Sequence, residues 1–278
     1  MLYLRHESCE PRQEPMANLK KIFSRKDILL IGLGSYGCLR GIALCAKTLE
    51  AEGRFLPCPM SPMDIALGRA PEKLSSLASQ IPPEIGGIIV YLSCAEILSH
   101  VDAYALKASL APLSSHVLVL ERGPLVARRA SPMKDIEAFL AATPEGEQVL
   151  LSSPMAEVPP PDYVGAFWEA MGAGRRVLLI TPGGCASAIG LDETRPSLPW
   201  AHTTLNDLDW SMGAEEKVLE AASSFYRQDP SRPLTLITTA VPHILGFDLP
   251  SVVSSLQQKG FDVTGVATDG FSTTSHSH

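Results

Sequence analysis

Apolar residues fall along the chain in short runs separated by glycine-rich turns and longer amphipathic stretches. Ile28 to Leu33, Gly87 to Leu92 and His116 to Leu120 are near-continuous apolar runs of strand length, the pattern of strands buried on both faces. Gly37 to Glu52, Pro71 to Ile81 and Ala95 to Leu110 carry apolar residues at helical spacing, which predicts helices between the strands. The alternation recurs in the second half, with strands expected at Val177 to Ile180, Leu234 to Thr238 and Asp262 to Val266, and helices at Ala214 to Tyr226 and Leu249 to Lys259. Strands alternating with helices imply parallel sheets joined by crossover helices. Between the halves lie a helical segment from Met133 to Leu140, a short strand from Val149 to Ser152 and the stiff run Pro159-Pro160-Pro161.

The halves share a register. Gly37-Cys38 recurs as Gly184-Cys185, 147 positions on; Leu92 to Leu98 meets Thr239 to Leu245 at the same offset, and Gly123 meets Gly270. The expected fold is α/β, two tandem Rossmann-like domains with mainly parallel sheets related by internal duplication. Their limits are read as 1–145 and 146–278, consistent with a 278-residue chain and the usual 100 to 200 residues per domain.

A formal charge of −7, with basic residues only in scattered pairs such as Lys20-Lys21 and Arg128-Arg129, gives no concentrated basic face, so neither nucleic acid nor an anionic membrane is expected as a partner. The first apolar run is shorter than a signal-peptide core or a membrane span. A cytoplasmic setting is the expectation.

Six cysteines are too few for a disulfide framework in a chain of this length. Cys38 follows a strand and a glycine-rich turn at the expected start of a helix, where the backbone N–H groups and the helix dipole favour a thiolate. Cys185 has the equivalent place, and Cys94 follows the strand Gly87 to Leu92. All three fall at the carboxyl ends of strands, the edge where open α/β sheets bind ligands. Any one cysteine taken alone is more often a small buried hydrophobe, and Cys45, on the apolar side of its helix, keeps that reading.

Pro182-Gly-Gly-Cys185, the segment His202-Thr-Thr-Leu-Asn-Asp-Leu-Asp-Trp-Ser-Met-Gly-Ala-Glu-Glu-Lys-Val-Leu219, the segment Thr239 to Asp248 and the closing Asp269-Gly-Phe271 together resemble, in order, the amino-terminal domain of nitrogenase component 1 subunits. The first half fits the same template through Gly37-Cys38, Asp64-Ile-Ala-Leu-Gly68 with Glu72-Lys73-Leu74, Cys94 to Leu98 and Arg122-Gly123. In that family, which includes the light-independent protochlorophyllide and chlorophyllide reductases, up to three cysteines per amino-terminal domain bind an iron-sulfur cluster at a subunit interface. The resemblance implies Cys9, Cys38 and Cys94 as ligands from the first copy and Cys185 from the second, where Ala156 and Val241 take the other two places. One [4Fe-4S] cluster held between the copies is thereby implied, with Cys58 in reserve for Cys9. An oxidoreductase component would take electrons from a separate ATP-dependent reductase or a ferredoxin, and a homodimer becomes the expected arrangement if Cys185 lies away from Cys38 and Cys94. The family's later domains, which help form its catalytic cavity, have no counterpart in these segments.

Other readings compete. Gly32-Leu-Gly34-Ser-Tyr-Gly37 satisfies the dinucleotide fingerprint GxGxxG, but the next strand ends in Cys58-Pro59 rather than in a ribose-binding acid. Glu96, His100 and Asp102 near Cys94, and His243 and Asp248 in the second copy, could serve as acid-base or metal groups, but solvated helix faces carry such residues routinely; of these Asp248 matches an acidic position of the family that the chain resembles, while His100 and His243 have no motif behind them. No nucleophile motif and no Walker A loop occurs. A metal-cluster scaffold without catalysis, or a small-molecule binding module that has lost the cluster, are the alternatives to redox function.

Overall fold

A computed structural model of the chain describes residues 13–121, 132–151, 158–191 and 198–273. These form two compact units that divide between Val158 and Pro159.

The first unit runs α1 (Gln13–Ile22), β1 (Ile28–Gly34), α2 (Tyr36–Thr48), β2 (Phe55–Pro59), α3 (Pro62–Ala66), α4 (Ala70–Ser76), β3 (Gly87–Leu92), α5 (Cys94–Leu98), α6 (Ala103–Leu110), β4 (Val117–Glu121) and α7 (Pro132–Ala142). Its four strands make an all-parallel sheet in the order β2-β1-β3-β4. One apolar cluster covers each face. Leu29, Ile31, Leu33, Ile88 and Val90 pack with Leu74, Leu106 and Leu110, and Ile28, Leu30, Ile89 and Tyr91 pack with Leu19, Leu39, Ile42 and Ile136. The sheet is thus sandwiched between helices, which is why β1 and β3 read as unbroken apolar runs.

The second unit contains α8 (Asp162–Gly172), β5 (Arg176–Ile180), β6 (Trp200–His202), α9 (Asp207–Ser211), α10 (Glu215–Gln228), β7 (Leu234–Thr238), α11 (Ala240–Ile244), α12 (Leu249–Gln258) and β8 (Val263–Val266). Its parallel sheet has the order β6-β5-β7-β8, so the two units share one strand order. The fold is α/β with two Rossmann-like sheets.

Matching strand ends place the repeat one position from the register read in the sequence. Gly34 and Ile180 close β1 and β5, and Leu92 and Thr238 close β3 and β7, an offset of 146 in both cases. The counterpart of Cys94, first residue of α5, is therefore Ala240, first residue of α11, rather than Val241.

The division between the units also lies later than residue 145. Arg25 donates to the carbonyls of Leu140, Thr143 and Pro144, and the Asp27 carboxylate accepts from the Gly146 amide at 2.9 Å. Beyond this clasp, Val149 and Leu151 donate backbone hydrogen bonds to Lys26 and Gly53 and bury their side chains in the first core. The expected strand at Val149 to Ser152 is instead an extended segment outside the sheet, and Ser152 lies outside the described residues. The single helix expected over Ala95 to Leu110 is two, α5 and α6. His100 takes a positive φ of 53° between them, and Asp102 caps α6 by accepting from the Tyr104 amide.

Candidate functional site

The carboxyl edge of the first sheet is built around the end of β1. The chain leaves β1 toward β2 on one side and returns to β3 on the other, so the crossovers change direction between β1 and β3, where ligand sites of open α/β sheets form. Two backbone bonds tie the neighbouring loops to this point: the Met60 amide donates to the Gly34 carbonyl at 3.0 Å, and the Ser93 amide to the Leu33 carbonyl at 3.1 Å. Cys38 is the third residue of α2, one turn beyond Gly34, and is half-buried. Cys94 opens α5 directly after β3 and is buried. Neither belongs to the two apolar clusters of the unit.

The other cysteines differ. Cys58 is 3% exposed within the first apolar cluster, and burial pushes its thiol up to about 11, so it is held as a neutral hydrophobe. Cys45 packs against the second cluster, as its helical spacing predicts. In the second unit Cys185 stands after β5 as expected, in a 3₁₀ segment from Gly184 to Leu191. It packs among Tyr163, Phe167, Ile189 and Trp200, and its carbonyl accepts from the Tyr163 hydroxyl at 3.0 Å. Cys9 and Ala156 lie outside the described residues. Of the four cysteines implied as ligands, Cys38 and Cys94 share one sheet edge and Cys185 belongs to the other unit. Among the described residues, no group of three or more His, Cys, Asp or Glu side chains is gathered to hold a metal ion.

Glu96, expected on a solvated helix face, is fully buried. The sequence Ser93-Cys-Ala-Glu96 explains it, being the S-x-x-E spacing of a capping box. Ser93 caps α5 by accepting from the Ala95 amide at 3.3 Å and donates its hydroxyl to Glu96 Oε2. Glu96 Oε1 is buried with no hydrogen-bond partner in the protein. Burial, only partly offset by the Ser93 bonds, raises the carboxyl to about 7. This group bears on the GxGxxG reading. A Cβ placed on Gly34 would meet Ser93 Cβ and Oγ at 2.5 Å and Glu96 Oε2 at 3.1 Å, so the glycine leaves room for the hydrogen-bonded Ser93 and Glu96 side chains at the start of α5. A carboxyl lies where the fingerprint brings a pyrophosphate close, an arrangement that opposes dinucleotide binding.

The loop after the edge strand is built alike in the two units. Ser61 and Asp64 form a capping box on α3, and Lys73 of α4 reaches back to Asp64 at 2.7 Å and to the Pro59 carbonyl at 2.8 Å. Asn206 and Asp209 form the same box on α9, and Lys217 of α10 pairs with Asp209. Burial works against the Asp64 charge, but the Lys73 and Ser61 hydrogen bonds outweigh it and hold the group at about 2. At each short helix two large apolar side chains are exposed four residues apart, one on the helix and one at its C-cap: Met63 with Leu67 and Leu208 with Met212.

The second unit closes its carboxyl edge with hydroxyls that the sequence reading overlooked. Thr203 Oγ1 donates to the Thr181 carbonyl and accepts from the Thr181 amide, Thr239 Oγ1 donates to the Ile180 carbonyl, and Thr238 and Thr268 bond side chain to backbone in both directions. Threonines placed at the very ends of β5 and β7 were the available signal. His243 is exposed on α11, and Asp248 caps α12 through the Ser251 amide at 3.0 Å; neither is drawn into a cluster with other ionisable groups among the described residues.

No family model and no curated protein matches the chain. Among solved structures, tagatose-6-phosphate ketose/aldose isomerase from Escherichia coli aligns over 96% of this chain and 80% of its own at 10% identity, with a TM-score of 0.24, a likeness too slight to argue from. Among the described residues no helix is long and apolar enough to cross a membrane.

Proposed function

We propose that the protein is an iron-sulfur redox protein similar to nitrogenase component 1, taking single electrons from a separate reductase or ferredoxin. The observation that carries the reading is the placement of Cys38 and Cys94 at the carboxyl ends of adjacent strands, outside the apolar clusters that take up Cys45, Cys58 and Cys185. Thiols there have the chemistry of iron-sulfur ligands. Two thiolates are fewer than the four such a cluster takes, so this pair is the core of a ligand set and not the whole of it. A bound cluster supplies a one-electron couple; the protein contributes burial and hydrogen bonds around the sulfurs.

The repeated Asp and Lys pair supports the resemblance from a second direction. Asp64 with Lys73 and Asp209 with Lys217 are the Asp and Lys of the motif segment, nine and eight residues apart, and in both copies the two side chains pair.

Anaerobic purification followed by iron and sulfide analysis, absorption spectroscopy and a reductive titration tests the proposal. Brown protein with a reversible one-electron signal is expected. Cluster that leaves intact for an acceptor protein would assign a carrier instead, and colourless, iron-free protein after anaerobic reconstitution would leave cluster-free ligand binding.

A further inference from the structure

We propose that the outer face of α10, in the second unit, is an interface through which two copies of this chain pair antiparallel about a twofold axis. α10 turns Val218, Ala222 and Phe225 into the core of its unit, and its other side forms an open groove of about 820 Å³ with the end of α12. Leu219, half-buried, and Ser223, buried, make the floor of this groove, and four charged side chains stand exposed around it. Glu216 and Glu220 lie toward the start of α10, whereas Arg227 in its last turn and Lys259, the C-cap of α12, lie at the other end. The groove is therefore acidic at one end and basic at the other, with roughly 16 Å of helix between Glu216 and Arg227 at the usual rise per residue.

Among the described residues none of these four charges enters an ion pair within the chain. Glu216 and Glu220 stand four residues apart on one helix, where like charges repel. A second copy supplies the missing partners. A twofold contact presents the same patch from both chains, so with the axis across the middle of the groove, near Ser223, the acidic end of each copy meets the basic end of the other. A parallel pairing would set like charges together, and the charges thus fix the direction as well as the partner. The small Ser223 side chain at the crossing lets the two helices approach closely. Arg227 is already held in place, its guanidinium 5.8 Å from the centroid of the Phe261 ring, which stacks on Tyr226 at 4.6 Å. Side chains fixed in advance lose less entropy on association.

Two double variants of the full chain test this, with molar mass read by light scattering and sedimentation over a concentration series. Glu216→Lys with Glu220→Lys makes the groove basic throughout, and Arg227→Glu with Lys259→Glu makes it acidic throughout. All four side chains face solvent, so both variants should keep the parent's circular dichroism. The parent should form a dimer whose Kd rises about tenfold or more between about 0.1 M and about 1 M salt, where the screening length falls from about 10 Å to about 3 Å. Each variant alone should be monomeric, its Kd raised about a hundredfold or more by facing like charges, and an equimolar mixture of the two should restore a dimer with one chain of each. The same outcome is expected with and without iron, which keeps this test separate from that of the iron-sulfur reading. A parent that stays monomeric at every concentration would overturn the proposal, as would a dimer that either variant retains by itself. Variants that each lose the dimer and fail to pair when mixed would overturn it too, since the antiparallel match of the two ends would then be absent.

Discussion

Lys73 Nζ lies 2.7 Å from Asp64 Oδ2, and the same pairing recurs between Lys217 and Asp209 in the second unit. In each case the carboxylate belongs to a capping box on the short helix after the edge strand, and the lysine comes from the next helix. The pair therefore locks a loop at the carboxyl edge of each sheet. For Asp64 the folded carboxyl is held at about 2 against an ordinary 3.8, so it binds its proton less readily in the folded than in the unfolded chain. Its contribution to stability is full above the unfolded value and is lost as pH falls through the folded one. Asp64→Asn should cost about 1–2 kcal/mol at pH 7, the scale of a lost cap and a charged hydrogen bond. The gap to the parent should narrow between about pH 4 and pH 2, read from urea midpoints across that range.

Glu96 predicts the opposite slope. Its folded carboxyl is raised from 4.5 to about 7 by burial, so the folded chain binds this proton more tightly than the unfolded one. The group leaves stability intact below about 4.5 and subtracts from it as pH rises toward 7. Glu96→Gln keeps the shape and an oxygen for the Ser93 hydroxyl, and removes the ionisation. Above pH 7 the variant should be more stable than the parent by on the order of 2–3 kcal/mol, and the two should converge near pH 4.5. A parent whose denaturation midpoint stays flat across this interval, relative to the variant, would contradict the assignment.

On the iron-sulfur proposal, Cys45 and Cys58, which pack with the apolar clusters, should separate from Cys38 and Cys94. Cys58→Ala removes a sulfur from a filled core and should destabilise by about 1–2 kcal/mol without altering iron per chain after reconstitution. Cys45→Ala should do neither to a marked degree, since Cys45 is only partly buried at the margin of its cluster. Iron lost from either variant at unchanged thermal unfolding would move the ligand set away from Cys38 and Cys94.

The strands that pack between two helix layers were legible because burial on both faces leaves an unbroken apolar run: Gly87–Leu92 and Leu234–Thr238 have the limits the pattern predicts. The edge strands β2 and β6 were not. Phe55–Pro59 contains two prolines, which only an edge strand tolerates because one side of its backbone needs no partner, and Trp200–His202 is three residues long. The division between the units was misread because the clasp of Arg25 and Asp27 onto residues 140–146 is made to backbone carbonyls and an amide, which leave no mark in the order of side chains. Glu96 was hidden by a different cause. Charge argues for solvent, and only the S-x-x-E spacing with a following buried helix argues against it.

Gly34 gives the last prediction, since it joins the fold to the site. It closes β1 with a φ of +152°, a conformation that side-chain-bearing residues rarely adopt, and Ser93 fills the space a Cβ would need at 2.5 Å. Ser93 cannot withdraw freely, because its amide is bonded to Leu33 and its hydroxyl to the Glu96 carboxyl. An added methyl must therefore push β1 and α5 apart, and α5 carries Cys94 as its first residue. Gly34→Ala should destabilise by roughly 2–4 kcal/mol, the combined scale of backbone strain and overpacking. Gly32→Ala serves as its counterpart: there a Cβ would meet the Leu39 and Phe55 side chains at 2.8 and 2.9 Å, which strains the core below the edge and leaves Ser93 in place. If Cys94 is a ligand, Gly34→Ala studied below its lowered melting temperature should bind less iron than Gly32→Ala matched to it in stability. Equal iron in the two variants would mean that displacing the start of α5 does not reach the metal, and Cys94 would then be a packing residue.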